Sequence, residues 1–224
     1  MRTAICGSLA LCCSTARAFL GSQAALHLPS ALGGSPVKVP MRCALEVNPM
    51  EDLEAGSVLV ASPDDYGHFT MKSVALVIEV TDAGTRAVCL DRGSPFTVGE
   101  MTGADIGPLR ENRLYRGGED GGTAVVMLHP YDLPGAEMVG RTGLFQGGLG
   151  SAVEAVSSGE AAPADFKFFF NFMEWQGQGL QEQIARGKWQ LVSLSDEALL
   201  SQKPMVDQEL WSTVRRRLKA MPTE

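Results

Sequence analysis

Short apolar segments bounded by Gly, Pro or Asp recur along most of this chain, and they constrain its fold more than any other feature. The segments are rich in Val, Leu and Ile and too short for typical helices, which predicts strands. The predicted strands cover residues 57–61, 73–80, 86–91, 113–116, 123–129, 143–146, 165–173 and 188–193. Asp82, Ala83 and Gly84 predict a tight hairpin between the second and third strands.

Helical patterns are few and occur late in the sequence. Helices are predicted at residues 151–158, 179–186 and 195–201, the third with Ser195 as its capping residue, and a last helix is predicted to begin near Asp207, with Val206 on its apolar side. A run of strands followed by mixed strands and helices favours an α+β fold over a regular parallel sheet.

Acidic residues are distributed unevenly along the chain. The first of them is Glu46, so residues 1–45 carry four basic residues (Arg2, Arg17, Lys38 and Arg42) and no acidic one. The whole chain has 19 basic and 26 acidic residues and a net charge of -7, which leaves 15 basic residues and a charge of -11 for the body. A body this acidic repels a phosphate backbone, so nucleic-acid binding is not expected without a local basic patch.

The acid-free leader has the parts of a targeting sequence. A positive start at Arg2, an apolar run over residues 4–13 and small residues after it are typical of a signal peptide, which we assign to residues 1–18. Residues 19–45, rich in Ser, Ala and Leu, are typical of a transit peptide. The two together predict delivery to the stroma of a plastid that lies inside extra membranes; secretion and mitochondrial import are the alternatives. Residues 46–224 are predicted to form one domain.

Cysteine positions argue against a secreted disulfide framework. Cys6, Cys12 and Cys13 lie in the leader, Cys43 lies near its end, and Cys89 is inside the body, where the strand pattern predicts a buried and inert thiol. No apolar run approaches the roughly 18 residues that a membrane-spanning helix needs, so no membrane partner is expected.

Four segments of the body together resemble the YqgE/AlgH family. They are GSVLVASP at residues 56–63, CLDRGSP at 89–95, LYRGGED at 114–120 and FNFMEWQGQGLQEQIARGKW at 170–189. The resemblance implies an α+β fold with a mostly antiparallel, bifurcated sheet curled into a pseudo-barrel and a few peripheral helices. It implies little biochemistry, because the family is mostly uncharacterised; its transcriptional-regulator label comes from one bacterial branch linked to alginate production.

The polar residues of the family's motifs are replaced in this chain, whereas the apolar residues of those motifs remain. Asp91 stands where the family has Asn, and Glu119 where it has Pro. Other departures are Asn171-Phe172 in place of Gly-Tyr, the reversed pair Gln178-Gly179, and Gln181 and Gln183 in place of Glu. The retained apolar landmarks are Trp175, Leu180, Ile184 and Trp189. This pattern favours a retained fold over a retained acid/base chemistry.

The polar motifs of the body are incomplete. GGLGS at residues 147–151 could hold a phosphate at a helix N-terminus, but the dinucleotide-loop spacing fails at Val153, and a tight turn is favoured. His68 and His129 lack the spacing of metal ligands, so we predict no metal, no cofactor and no catalytic residue. The basic cluster at residues 215–219 fits the dipole of the last helix better than a nucleic-acid site.

Alternation along residues 165–173 predicts a strand with two different faces. Phe166, Phe168, Phe170 and Phe172 share one face, and Lys167, Phe169 and Asn171 share the other. The first face is typical of a core. The second could line a shallow peptide or ligand groove, although burial beneath the C-terminal helices is favoured.

The leading hypothesis is a non-enzymatic binding or regulatory protein of the plastid with an unknown protein partner. The alternative is a small-ligand-binding protein or an enzyme, with a cleft where the Ser-Pro and Gly-Gly landmarks meet; direct DNA binding is disfavoured by charge. The candidate ligand-binding residues are Ser62, Arg92, Gly117, Gly118 and Gln178. Whether they share one concave site is the question that a structure can answer.

Overall fold

A computed structural model describes residues 36–39, 45–103, 105–201 and 209–221. The signal-peptide prediction, Cys43, Val206 and the predicted helix start near Asp207 lie outside these residues. Within the described ranges, no helix has the length and apolarity that crossing a membrane requires.

Thirteen strands and five α-helices make up the described body. The strands are β1 Val37–Lys38, β2 Val47–Pro49, β3 Val58–Ala61, β4 Val74–Thr81, β5 Gly84–Cys89, β6 Gly93–Thr97, β7 Arg113–Arg116, β8 Asp120–His129, β9 Tyr131–Asp132, β10 Ala136–Met138, β11 Phe145–Gly147, β12 Lys167–Gln176 and β13 Trp189–Leu194. The helices are α1 Val98–Thr102, α2 Leu149–Ser157, α3 Gly179–Ala185, α4 Asp196–Leu200 and α5 Glu209–Lys219, with 3-10 turns at Gly107–Leu109 and Pro163–Asp165.

Eleven of the strands form one sheet in the order β10-β11-β8-β12-β5-β4-β3-β13-β2, with β7 joined to β12 and β6 to β7. The β12–β7 pair is parallel and the other strand pairs are antiparallel. The predicted α+β fold with a mostly antiparallel, bifurcated sheet is therefore confirmed. Among the described residues no pairing joins the end strands β10 and β2, so the sheet is not closed into a barrel.

The bifurcation lies within β12. The first half of this strand pairs with β7 on one side and β8 on the other, and its second half pairs with β5. A register shift separates Phe170 from Phe172, and Asn171 between them has a φ of 62°. Because one extra residue reverses the alternation of side chains, Phe172 packs with a different cluster from Phe166, Phe168 and Phe170. The prediction that all four share one face is wrong at Phe172.

Both faces of the sheet formed by β3, β4, β5 and β13 are covered. Leu76, Val88 and Val192 belong to the cluster that packs against α4 and α5, whereas Leu59 and Val77 belong to the cluster of the opposite face. Burial on both faces explains why β3 and the first five residues of β4 are continuously apolar and do not alternate. Phe169 is fully buried in the first cluster, so it lines no surface groove.

β1 lies within the range predicted as a transit peptide. It pairs with β9, and Lys38 Nζ lies 2.8 Å from Asp165 Oδ1. Asp165 also accepts a hydrogen bond from the Tyr131 hydroxyl at 2.5 Å. Residues 36–39 are thus attached to the body, and the boundary between leader and body at residue 45 stays a prediction.

Candidate functional site

A surface groove of about 590 Å³ lies where β2, β3, β13 and α5 approach one another. Its walls come from residues 49–51, 62–64 and 189–191, with Ile184, Gly187 and Arg215. We call it the Ser62 groove. The groove mixes apolar side chains with polar ones, a composition that suits ligand recognition.

The loop that carries Ser62 is held by Arg92. Arg92 Nη2 donates hydrogen bonds to the backbone oxygens of Phe69 at 3.2 Å and Met71 at 2.7 Å. The Arg92 guanidinium lies 5.9 Å from the centre of the Phe69 ring, and that of Arg116 lies 5.4 Å from it. Hydrogen bonds from a charged donor to two positions of one loop restrict its movement. Arg92 therefore braces one wall of the groove and does not line it.

The segments that contain Arg92 and Gly117, CLDRGSP and LYRGGED, are joined by backbone hydrogen bonds. The Arg116 N–H donates to the Arg92 oxygen at 2.7 Å, and the Cys89 N–H donates to the Gly117 oxygen at 2.8 Å. A Cβ on Gly118 would lie 1.9 Å from the carbonyl carbon of Phe172, so this backbone contact admits only glycine. Both glycines thus position strands.

One part of the groove lies beside Trp189 of β13, a residue that is 2% exposed. Trp189 lies opposite Ala61 in the β3–β13 ladder. The Ala61 N–H does not bond to Trp189; it donates to the backbone oxygen of Ser73, next to β4, at 3.0 Å. The Trp189 backbone groups therefore point away from β3, toward the side on which β2 pairs. β2 ends before this point and the chain bends at residues 51–52, so the ladder supplies no strand opposite Trp189.

Tryptophan side chains fix the elements around this edge. Trp175 Nε1 and Trp189 Nε1 both donate to Gln183 Oε1 of α3, at 3.2 and 2.9 Å. Trp211 Nε1 of α5 donates to the Ala61 oxygen at 2.8 Å. These bonds attach α3 and α5 to the sheet, and the groove is consequently preformed.

Unpaired polar atoms and backbone strain occur around the braced loop. Buried atoms without a hydrogen-bond partner, among the described residues, include Asp65 Oδ2, Thr70 Oγ1, Asp91 Oδ2, Arg92 Nε and Asn171 Oδ1. Lys72 and Asn171 have φ angles of 51° and 62°. Such costs persist where the surrounding structure or a function requires them, and they mark this region as a candidate for function.

Lys167 holds its amine inside the core, with 2% of the residue exposed. Its Nζ donates to the backbone oxygens of Leu90 at 2.9 Å, Leu199 at 3.3 Å and Ser201 at 3.0 Å, and lies 4.5 Å from the centre of the Tyr115 ring. Burial lowers the pKa of Lys167 to about 8, although the charge of nearby Asp91 opposes the change. The lysine joins the end of β5 to the end of α4.

Asp91 and Cys89 share the polar interior beside this lysine. The Cys89 thiol donates to Asp91 Oδ1 at 3.3 Å. Burial raises the pKa of both groups, so Cys89 remains a thiol and the prediction of a buried, inert cysteine is confirmed. Asp91 lies at a position where burial disfavours charge.

The candidate residues therefore do not form one constellation. Ser62 lines the groove and Arg92 holds the loop that follows it, whereas Gly117 and Gly118 contact the backbone of residues 89 and 170–172. Gln178 is exposed at the start of α3 and is not among the groove-lining residues.

The other sequence motifs have structural surroundings. Gly147 and Gly148, with φ of 87° and 67°, form the predicted tight turn before α2. His129 is buried, Nε2 lies 3.0 Å from the Gly147 oxygen, and burial lowers its pKa. Ser195 precedes α4 but forms no side-chain cap, in contrast to the prediction. Across the described ranges, no three His, Cys, Asp or Glu side chains come together as metal ligands.

Sequence reasoning missed the hydrogen-bond partners of Lys167 and the strand edge at Trp189 in the groove wall. The alternation of side chains along the strand placed Lys167 on the same face as Phe169. The carbonyl oxygens that accept its hydrogen bonds belong to residues that are 77, 32 and 34 positions away in the sequence. The edge depends on where β2 ends, and β2 has only three residues. Pro49, a residue that cannot donate to a ladder, was the one signal in the sequence.

Comparison with known proteins agrees with this architecture. Residues 58–223 match a family model described as AlgH-like, DUF179. A UPF0301 protein of Myxococcus xanthus is 26% identical over 178 residues, which cover 77% of this chain and 94% of the relative. One from Chlamydia abortus is 29% identical over 177 residues, covering 76% of this chain and 89% of the relative.

Two solved structures share the fold. A crystal structure from Corynebacterium diphtheriae superposes with a TM-score of 0.62 at 21% identity, covering 75% of this chain and 88% of the other. The solution structure of AlgH from Pseudomonas aeruginosa has a TM-score of 0.55 at 18% identity, and the match covers 75% of this chain and 94% of AlgH. Because the family model matches most of the chain, the protein belongs to the AlgH-like, UPF0301 family.

Proposed function

We propose that this protein is a non-enzymatic binding module whose Ser62 groove holds a protein partner or a small ligand. The observation that carries the proposal is the groove itself: a preformed concavity of about 590 Å³ walled by residues 49–51, 62–64 and 189–191. Preformed concave sites that mix apolar and polar groups are the usual places for ligands.

The surroundings of the groove support a binding role. Arg92 uses its guanidinium to hold the loop at Phe69 and Met71, and Arg215 Nη1 donates to Gln190 Oε1 at 3.1 Å. These charged groups thus shape the groove walls through hydrogen bonds. A rigid wall lowers the entropic cost of binding a partner.

A photo-crosslinking residue in the groove tests this proposal. We expect benzoylphenylalanine at Gln190, in the full chain expressed in its host, to form a defined adduct. The same residue at Asp82, in the exposed hairpin, is the control. A protein adduct supports a partner, and a small mass addition supports a ligand.

A groove-filling variant completes this test. Ser62→Trp places a large side chain in the groove, so the Gln190 adduct should decrease at least about fivefold. An equal adduct at Gln190 and Asp82, or one insensitive to Ser62→Trp, contradicts the proposal.

We also propose that the protein works in the plastid stroma. The support is the acid-free leader of residues 1–45 with its signal-like and transit-like parts. The first 45 residues fused to a fluorescent protein should direct it to the plastid. Fluorescence in the medium or in mitochondria contradicts this localisation.

DNA binding has less support than either form of ligand binding. The body carries a charge of -11, and the basic residues Arg216, Arg217 and Lys219 occupy the last turn of α5, where they interact favourably with the helix dipole. A salt-sensitive shift of a DNA duplex by the purified chain would favour the regulator function instead.

A further inference from the structure

We propose that Arg92 and Arg116 form a binding site for a phosphate group, either free phosphate or the phosphate of a small organic molecule. Neither arginine lines the Ser62 groove, so this site is separate from the groove. Three features of the described residues carry the inference: two arginines at opposed strand positions, the absence of a carboxylate partner for either, and buried polar atoms without hydrogen bonds beside them.

The register of two strands places these arginines side by side. Gly93 of β6 pairs with Tyr115 of β7 in an antiparallel ladder. Arg92 therefore stands opposite Arg116, whose N–H donates to the Arg92 oxygen at 2.7 Å. Side chains of directly opposed residues project from the same face of a sheet. Consistent with this, the two guanidinium groups lie 5.9 and 5.4 Å from the centre of one ring, that of Phe69.

The charge of this pair is not balanced by a carboxylate. Across the described ranges, no ion pair includes Arg92 or Arg116. Like charges at opposed positions of neighbouring strands repel each other. Asp91 is the nearest acid in the sequence, but burial raises its pKa and its Oδ1 accepts a hydrogen bond from Cys89. Glu119 is exposed and forms no ion pair with a described residue. An anion held between the two guanidinium groups would remove their repulsion.

The two guanidinium groups are held differently. Arg92 is half-buried, and its Nη2 donates to two backbone oxygens of the loop, which fixes its position. Its Nε and the nearby Thr70 Oγ1 are buried without a hydrogen-bond partner in the described part of the chain. Such atoms are commonly satisfied by an ordered water or ion. Arg116 is exposed, and its side chain has no hydrogen bond to a described residue. Arg92 thus provides a fixed cation, and Arg116 can close on an anion from the solvent side.

The chemistry of the pair favours phosphate over other anions. A guanidinium group presents a planar fork of N–H donors, which matches the oxygens of a phosphate or a carboxylate. Two guanidinium groups balance the charge of about -2 on a phosphate monoester, whereas a carboxylate balances only one of them. The body's charge of -11 repels a polyanion more strongly than a small anion, which favours a small phosphate ligand over a nucleic acid.

Titration of the isotope-labelled full chain with phosphate tests the inference. The probes are inorganic phosphate and glycerol 3-phosphate, with acetate as the carboxylate control, at constant ionic strength. We expect both phosphates to shift the Nε–Hε resonances of Arg92 and Arg116, and acetate to bind more weakly. Tighter binding of glycerol 3-phosphate supports an organic phosphate as the ligand, and equal binding of the two supports free phosphate.

Substitutions at Arg116 with a matched control separate the site from the general field. Arg116→Gln should raise the Kd for phosphate at least about tenfold, which is the loss expected for a charge-assisted hydrogen bond. Arg116→Lys keeps the charge but loses the planar fork, and should raise the Kd about threefold. Arg110→Gln makes the same charge change as Arg116→Gln on an exposed residue before the other end of β7, and should change the Kd less than about twofold. Arg92 is left intact because its loss would also release the loop.

Three results would overturn the inference: unchanged Nε–Hε resonances at both arginines, acetate binding as tightly as phosphate, or equal effects of Arg116→Gln and Arg110→Gln. None of these results bears on the Ser62 groove, whose proposed function is tested by the crosslink at Gln190.

Discussion

Lys167 lies in surroundings that are unusual for a lysine. It is 2% exposed, and three backbone oxygens and an aromatic ring surround its amine. Burying a charge is costly unless the charge is bonded, and these partners offset part of that cost. The amine connects β5 to the end of α4, so its protonation influences how the C-terminal region is attached.

The pH dependence of stability should report this lysine. Its pKa is lower in the folded chain, about 8, than the ordinary value of 10.5. Between these values the unfolded chain binds the proton and the folded chain does not, so this group adds stability as the pH rises. The free energy of unfolding of the wild type, minus that of Lys167→Met, should rise by up to about 1.4 kcal/mol per pH unit.

Chemical denaturation at pH 7, 8, 9 and 10 measures this difference. Cys89 changes the stability with pH in the opposite direction, because burial raises its pKa and its stabilising effect is lost in alkali. Cys89 is present in both proteins, so its effect is common to both measurements. Asp91 and Tyr115, the other titratable groups near the amine, also remain in both. A difference that is flat with pH would show that Lys167 titrates normally.

Arg92 and Arg116 form a matched pair for testing the braced loop. Arg92→Ala removes two hydrogen bonds to the loop and should lower the free energy of unfolding by about 2 kcal/mol. Arg116→Ala removes a contact with the Phe69 ring and should cost about 0.5 kcal/mol. Amide exchange of Phe69 and Met71 should become faster in the first variant alone. Equal costs for the two variants would contradict the bracing role.

The sequence predicted the direction in which side chains point but not the residues that they contact. It placed Lys167 and Phe169 together and Cys89 in the interior, and the structure confirms both. It grouped Arg92 with Gly118 and Gln178 through the family resemblance, whereas Arg92 contacts Phe69 and Met71. The difference has a physical cause: partners across a sheet depend on strand order, which local patterns do not encode.

At the scale of elements, β12 determines the architecture. Its bulge at Asn171 turns the second half of the strand toward β5 and moves Phe172 to another cluster. The predicted strands of the body are confirmed, including the hairpin between β4 and β5. The strands β1, β2, β6, β9 and β10 and the helix α1 were not predicted, because they are short and depend on neighbours for their conformation.

The bulge can be tested by two substitutions at one position. Asn171 has a φ of 62°, which Gly adopts readily and a β-branched residue does not. Asn171→Gly should change the free energy of unfolding by less than about 0.5 kcal/mol, whereas Asn171→Val should lower it by at least about 2 kcal/mol. Thermal denaturation compares them. Equal effects would indicate that the bulge does not require this backbone conformation.

At the scale of the whole molecule, three buried clusters share one sheet, and the Ser62 groove lies beside the cluster that contains Trp189 and Leu191. A different exposed apolar surface occurs at β6 and α1, where Phe96 and Met101 are 49% and 45% exposed. This second surface is the competing candidate for the proposed binding site. The fold class and domain-length resemblance followed from sequence, but the groove did not, because it arises from four separate chain segments.

Hydrogen–deuterium exchange of the full chain, with and without an extract of its host, tests the binding function most directly. We predict slower exchange at residues 62–65 and 187–191 in the extract, with no change in the hairpin at residues 81–84. Protection confined to the surface around Phe96 and Met101, with unchanged exchange at Trp189, would contradict the assignment of the Ser62 groove as the binding site.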